Sequence, residues 1–456
     1  MIYIFCPWCN ATGGTELLHQ LGYTLNLLGF EASMYYYEAG PQNGPITHPH
    51  FEKYRVPVSK SVSDKEDSIL VLPEPLASHI GYIKNNLSLA TKVLWWLSVD
   101  NAGLSEEDEA ELSKHKDVIH MVQSYYAKDY VNKKIGVREE KILYLSDYIN
   151  SMFLNVKNDF PRENVVLFNP RKGYERTSRL IAQSNAGIAW RALNDIVPSD
   201  VPEVLSRAKV YIDFGNHPGK DRFPREAAAC GCRIITGRRG SAAFREDVPI
   251  PEELKFNDEA PSKQILEMIN VLLKNYETSG ELFADYIDFV KEEFHSFEED
   301  TFTIFHELTG TPIRIAKEDY GTAEGLTAYI TAKFSEGNFS EAFYAITLYR
   351  KLKYEETGLL LALEIYTRLG VEDYYIAEYL SDRLIERESN NYEAYLLRAQ
   401  SILGEPQASK RTSEVIGDID KALSLATGTE DAEEVGRRAN ALVELMRSVI
   451  PELNEV

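Results

Sequence analysis

Short, nearly continuous apolar runs recur along the first half of the chain at 2–5, 32–37, 69–72, 93–97 and 118–122, with helical stretches between them. A strand apolar on both faces must be buried on both. This pattern therefore demands a parallel sheet covered by helices on either side. After the first run, Asn10-Ala11-Thr12-Gly13-Gly14-Thr15 is turn chemistry. Leu17, Leu18, Leu21, Leu25 and Leu28 then recur at helical spacing up to Gly29. The pattern starts afresh with a strand at 165–168, a turn at 169–173 and a helix at 177–183, followed by strands at 187–190, 210–214 and 233–236. A Pro/Asn-containing segment, 150–163, reads as the connector. The expected division is one Rossmann-like α/β unit over 1–150 and a second over 151–310. Ligands of such open sheets sit at the carboxyl ends of the strands, here in the cleft between the units.

Composition narrows the classes. The 456 residues carry 71 Asp+Glu against 49 Lys+Arg, a net charge of -22. That balance opposes binding to duplex DNA or an anionic membrane, both of which need a broad positive field. No run approaches the roughly 20 apolar residues of a membrane span, and the first residues lack the basic region and cleavage site of a signal peptide. The four cysteines, Cys6, Cys9, Cys230 and Cys232, are too few for a disulfide framework and fit reduced thiols. A soluble, cytoplasmic, multidomain protein is expected.

From about residue 320 the strands stop. Alanine and tyrosine recur on helices, and the interval from Ala342 to Ala377 is close to the ~34-residue tetratricopeptide period. A third, more degenerate unit runs over 392–422. The segment 320–456 resembles tetratricopeptide repeats without their usual Trp and Pro positions; an irregular helical bundle is the alternative. Phe339, Phe343, Tyr344, Tyr374, Tyr375 and Tyr379 supply more aromatic surface than helix packing alone demands, with most of them expected in the core; this part is expected to recruit an acceptor or protein partner, or to join protomers.

Positive charge is concentrated in the middle third: Arg171, Lys172, Arg176 and Arg179, then Lys220, Arg222 and Arg225, then Arg238 and Arg239. The leading members of each group fall in turns after predicted strands, beside Gly173, Gly219, Gly237 and Gly240. Such turns open into helix N-termini, where backbone N–H groups and the helix dipole favour phosphate. A phosphorylated ligand in the cleft is expected. The competing reading is a set of loop charges paired with nearby carboxylates.

Two Rossmann-like units, the turn Asn10–Glu16 and the segment Arg222-Phe223-Pro224-Arg225-Glu226-Ala227-Ala228-Ala229-Cys230-Gly231, followed by a strand at 233–236, resemble a GT-B glycosyltransferase of family four. The resemblance covers roughly 1–310 and is most specific over 214–241. It implies transfer of a sugar from a nucleotide-sugar donor, most simply a UDP-sugar, to a glycan or protein acceptor, with no metal and no separate cofactor. It implies that Glu226 binds the ribose hydroxyls, a role a carboxylate suits because it accepts from both vicinal groups. It further implies diphosphate contacts from Arg171 and Lys172 in Asn169-Pro170-Arg171-Lys172-Gly173. One departure is notable. The family's first Glu, which contacts the transferred sugar, would fall at position 218, where this chain has Pro218. His217 or Asp221 is a candidate substitute, and Lys220 or Arg222 a candidate to neutralise the leaving group.

The expected donor-binding set is Gly13, Gly14, Arg171, Lys172, Gly219, Lys220, Arg222 and Glu226; the expected catalytic set is Lys172, His217 and Asp100. Asp100 and Glu74 follow predicted strands, where either can serve as a general base if the reaction inverts. The alternative function is a non-catalytic nucleotide-ligand-binding scaffold working through its helices. Cys6-Pro7-Trp8-Cys9 has the form of a redox motif, but a Gly-containing turn separates it from the helix that such chemistry needs. Asp418-Ile419-Asp420 has the Asp-x-Asp form of metal-dependent transferases and is expected on an exposed helix face. Residues 105–109 read as a helix start.

Overall fold

A computed structural model describes residues 1–8, 10–37, 47–156 and 161–450. The chain forms two compact units: residues 1–26 with 30–311, and residues 27–29 with 312–456.

The larger unit begins with β1 (Ile2–Pro7), α1 (Gly13–Leu27), β2 (Ala32–Tyr37), β3 (Ile69–Pro73), α2 (Ile80–Asn86), β4 (Thr91–Trp96), α3 (Glu106–Leu112), β5 (Ile119–Val122), α4 (Tyr125–Tyr130) and β6 (Ile142–Tyr144). These six strands form one parallel sheet in the order β2-β1-β3-β4-β5-β6. The apolar runs divide between two cores because neighbouring side chains on a strand point to opposite faces. Ile4, Val71, Val93 and Trp95 pack with Leu17, Leu21 and Leu25 of α1 on one face. Tyr3, Phe5, Leu70, Leu72, Leu94 and Trp96 pack with Ile80, Ala127 and Val131 on the other. Each such large apolar side chain contributes about 1.5–3 kcal/mol. Ser105 and Asp108 make a reciprocal capping box at the start of α3, as the acidic run implies.

The second sheet is built from β7 (Glu163–Phe168), α5 (Tyr174–Gln183), β8 (Ala189–Ala192), α6 (Val201–Arg207), β9 (Ala208–Asp213), α7 (Arg222–Ala229), β10 (Arg233–Gly237), β11 (Lys255–Phe256), α8 (Ser262–Lys274) and α9 (Ala284–Thr309). Its order is β11-β10-β9-β7-β8, again all parallel. Phe297, Ile304 and Phe305 of α9 join the α1 face of the first sheet, so this 26-residue helix ties the two sheets together. The edge strands β6 and β11 were not legible in the sequence: at three and two residues they are too short to show a period.

The smaller unit is all helical: α10 (Lys317–Tyr320), α11 (Ala323–Ser335), α12 (Phe339–Lys351), α13 (Gly358–Gly370), α14 (Tyr374–Arg387), α15 (Tyr392–Gly404), α16 (Thr412–Ala426) and α17 (Ala432–Val449). Consecutive helices pack, and α11, α13, α15 and α17 also touch one another in turn. A spacing device repeats. A Cβ on Gly370 would lie 2.5 Å from the Phe339 ring, and one on Gly404 would lie 2.2 Å from the Tyr374 ring. Most of the aromatics singled out in the sequence are core, as expected. Phe339 and Tyr374 fill these glycine notches, and Phe343, Tyr344 and Tyr379 are buried in the core. Asp418 is also buried, bonded to Arg398, so the Asp-x-Asp segment does not present an open face; only Asp420 is exposed. No helix among the described residues is long and apolar enough to cross a membrane.

Candidate functional site

The carboxyl ends of both sheets converge on a cavity of about 570 Å³, within the usual range for small-molecule sites. From the first sheet come the β1–α1 turn with Gly13 and Gly14, Glu74 after β3, Leu97, Ser98 and Asn101 after β4, Gln123 after β5 and Asp147 after β6. From the second come Asn169 and Lys172 after β7, Asp213 at the end of β9, the loop Pro218–Asp221, and Arg222, Phe223 and Glu226 on α7. Apart from β6, the strand ends that position these groups belong to apolar runs anticipated in the sequence.

The 216–221 loop closes the second sheet's side against the first. The Val99 N–H donates to Pro218 O at 2.7 Å, Asn216 Nδ2 donates to Asp100, and the Lys220 N–H donates to Gln123 Oε1 at 3.3 Å. Gly219 lies so close to the first sheet that a Cβ there would sit 2.1 Å from Leu97 O. Only a residue without a side chain fits this approach.

Most cations predicted to face a phosphate are already matched by acids. Lys172 Nζ is 2.6 Å from Asp221 Oδ2, and Lys220 Nζ is 2.6 Å from both Glu293 Oε1 and Ser146 Oγ. Arg222 binds Glu16 and donates to Gly13 O at 3.2 Å, which ties α7 to α1. Arg225 bridges Asp147 at 2.9 Å and Glu293 at 2.8 Å. Burial raises the Glu16 pKa, but Arg222, Lys53 and the Tyr54 hydroxyl overcome it and hold the carboxyl at about 2.

Two cavity-lining carboxyls differ from the rest. Asp147, Asp213 and Asp221 have basic side chains within ion-pair distance; among the described residues Glu74 and Glu226 have none. Glu226 is 8% exposed, and no described group donates a hydrogen bond to it. Burial pushes its pKa up to about 7 against the pull of Arg222 and Arg225. Glu74 is 4% exposed and accepts the Leu97 N–H at 3.1 Å on Oε2; burial pushes it up to about 8 against its backbone hydrogen bonds.

The described residues offer one cluster with metal-ligating side chains, Asp213, His217 and Asp221. His217 turns Nε2 to Asp213 at 3.4 Å and Nδ1 to Asp221 at 3.7 Å. Burial opposes its protonation, but the two carboxylates outweigh this and raise its pKa. Opposite nitrogens of His217 thus face the two acids, and the Lys172 ammonium also lies on Asp221, 2.6 Å from its Oδ2.

No family model matches the sequence, and no curated protein matches it. Solved structures do. HepE from Anabaena, in complex with UDP-glucose, superposes with a TM-score of 0.51 at 10% identity, over 67% of this chain and 99% of its own. The fold is GT-B. Sucrose-phosphate synthase from Thermosynechococcus elongatus gives 0.49 at 15% identity, over 68% of this chain and 99% of that one.

On this GT-B frame the cavity brings together Gly13, Gly14, Lys172, Gly219, Lys220, Arg222 and Glu226. It does not bring in Arg171, which is exposed, or His217, which is fully buried behind Asp213 and Asp221. Asp100 is also outside the lining, held by Asn216 and by the Tyr126 hydroxyl at 3.2 Å. Arg176, Arg238 and Arg239 pair with Asp258 or Glu252 away from the cavity. Sequence reasoning missed the compensating acids Glu16, Asp147 and Glu293, and missed Gln123. Their partners on the 220–225 segment lie 68 to 206 positions away, beyond any local pattern. Cys6 is buried in β1 with its thiol pushed up to about 12, the reverse of what redox chemistry needs; Cys9 lies outside the described residues.

Proposed function

We propose that the chain is a glycosyltransferase that takes its sugar from a nucleotide-sugar donor, with UDP as the nucleotide, and that the donor occupies the cavity between the two sheets. The observation that carries this reading is Glu226. A largely buried carboxyl without a protein hydrogen-bond donor, opening onto a cavity at strand carboxyl ends, must take its donors from what fills that cavity, water or a ligand, and the vicinal hydroxyls of a ribose supply two. The complex of HepE with UDP-glucose, on the same fold, supports the choice of nucleotide. Lys172 and the amino end of α1 at Gly13 and Gly14 then face the diphosphate. As the bond from the sugar C1 to the diphosphate oxygen breaks, its electron pair leaves with the nucleoside diphosphate. The Lys172 ammonium stabilises the charge, with no metal required.

The helical unit is read as tetratricopeptide-like, since α11, α13 and α15 begin at Ala323, Gly358 and Tyr392, close to the ~34-residue period. Its proposed role is to engage a glycan-bearing or protein acceptor, and the protein is read as cytoplasmic. A second reading has two observations in its favour: Lys172, Lys220 and Arg222 are matched by acids, and Pro218 stands where the resembling family has its sugar-contacting Glu. It is a scaffold that binds a nucleotide ligand without transfer. Thermal-shift titration with UDP-, GDP- and CMP-linked sugars tests the donor. A rise in Tm with the UDP-sugars supports the proposal; no rise with any of them contradicts it. Donor turnover separates the enzyme from the scaffold.

A further inference from the structure

Among the described residues three cations line the cavity, Lys172, Lys220 and Arg222, and they differ in how firmly they are held. The Lys220 side chain is 1% exposed and pairs with Glu293, itself buried. Arg222 is 16% exposed, paired with Glu16 and bonded to Gly13 O. Lys172 is 36% exposed, and its partner Asp221 also lines the cavity. Separating a buried pair leaves charges uncompensated, whereas a pair this accessible to solvent contributes little. Lys172 is thus the cation of the three that a ligand can take over. Any such movement is confined to the end of the side chain, because glycines let its backbone pack tightly on the loop after β9. A Cβ on Gly215 would lie 2.5 Å from Lys172 Cβ, and one on Gly173 would lie 2.4 Å from the Phe214 carbonyl carbon.

Asp221 has somewhere to turn if Lys172 leaves. The oxygen that binds Lys172 Nζ at 2.6 Å, Oδ2, is also 3.7 Å from His217 Nδ1. His217 is fully buried, and neither of its ring nitrogens makes a hydrogen bond with a described residue. Buried polar groups left short of a partner cost free energy. Asp213, 3.4 Å from Nε2, is already held by the Tyr211 hydroxyl at 3.0 Å and the Gly215 N–H at 2.8 Å. Asp221 is therefore the acid that can close on the imidazole. The geometry points to Asp221 as an internal competitor of the donor's diphosphate: it holds Lys172 until a phosphate takes the ammonium, and then closes on His217. The inference rests on the donor reading above. Because the competition lowers affinity for the nucleoside diphosphate, it also speeds release of that product after transfer.

The test titrates UDP and uridine into the full chain and its Asp221→Asn variant. Asp221 opens α7 without a side-chain capping bond, so the substitution removes no cap. The variant should bind UDP at least about threefold tighter, with slower dissociation. It should bind uridine, which has the ribose but no phosphate, within about twofold of the parent. A substitution that merely damaged the site would weaken binding instead. A gain for UDP smaller than about threefold, or an equal gain for uridine, overturns the inference and leaves the donor reading standing. The structure of the parent chain with UDP decides the matter without any variant. Lys172 Nζ should lie on a phosphate oxygen, with Asp221 within about 3 Å of His217 Nδ1; Lys172 still paired with Asp221 overturns the inference. Failure of the parent to bind UDP at all overturns the donor reading itself.

Discussion

Glu226 and Glu16 lie on elements that Arg222 joins, and their opposite electrostatics make opposite predictions. Glu226 is raised to about 7 by burial with Arg222 and Arg225 pulling down. If it accepts from ribose hydroxyls as a carboxylate, UDP binding must draw its proton off. Calorimetry in buffers of different ionisation enthalpy should then show proton release near pH 7, and affinity should tighten as pH rises from 6 to 8. Glu16 is lowered from an ordinary 4.5 to about 2, by Arg222 and Lys53 working against burial. A folded-state pKa below the unfolded value stabilises the fold above the unfolded pKa, and that stability fades as pH falls from about 4.5 through about 2. Glu16→Gln should therefore cost about 3 kcal/mol at neutral pH and progressively less in acid, as read from urea unfolding at several pH values.

At the scale of elements, close approaches decide what the sequence permits. Gly219→Ala places a methyl against Leu97 O, 2.1 Å away. The 216–221 loop must then lift from the first sheet, at a cost of about 1–3 kcal/mol. Because that loop carries Pro218, Lys220 and Asp221 into the cavity lining, UDP affinity should fall together with Tm. In the helical unit, Arg411 of the segment before α16 pairs with the buried Glu378 and Glu405 and with Glu414. Arg411→Met leaves those carboxyls without their cation and should cost about 3–5 kcal/mol. In a calorimetric scan the loss should show in the helical unit's transition. UDP affinity should be unchanged, as the proposed division of labour requires.

For the whole molecule, the sequence was most informative where physics is local. The apolar runs at 2–5, 69–72 and 93–97 marked strands because each residue's face follows from its position in the strand. The strand-end turns marked the cavity walls. The charge of that cavity was not legible. Lys172, Lys220 and Arg222 stand out in the chain as cations, and only the fold reveals the acids that meet them. His217 looked like a site residue because it stands in the loop beside the missing Glu, yet it points inward between two aspartates. Glu226 was readable through its helix-opening segment, and its burial without a donor adds the physical reason that it should meet a ligand. The most direct test is isothermal titration of UDP into the parent chain and Glu226→Ala, at one pH and salt concentration. Loss of a hydrogen-bonded, charged acceptor is worth about 1.5–3 kcal/mol, so binding should be roughly ten- to hundredfold weaker in the variant. UDP binding equally well to both chains, or to neither, would contradict it.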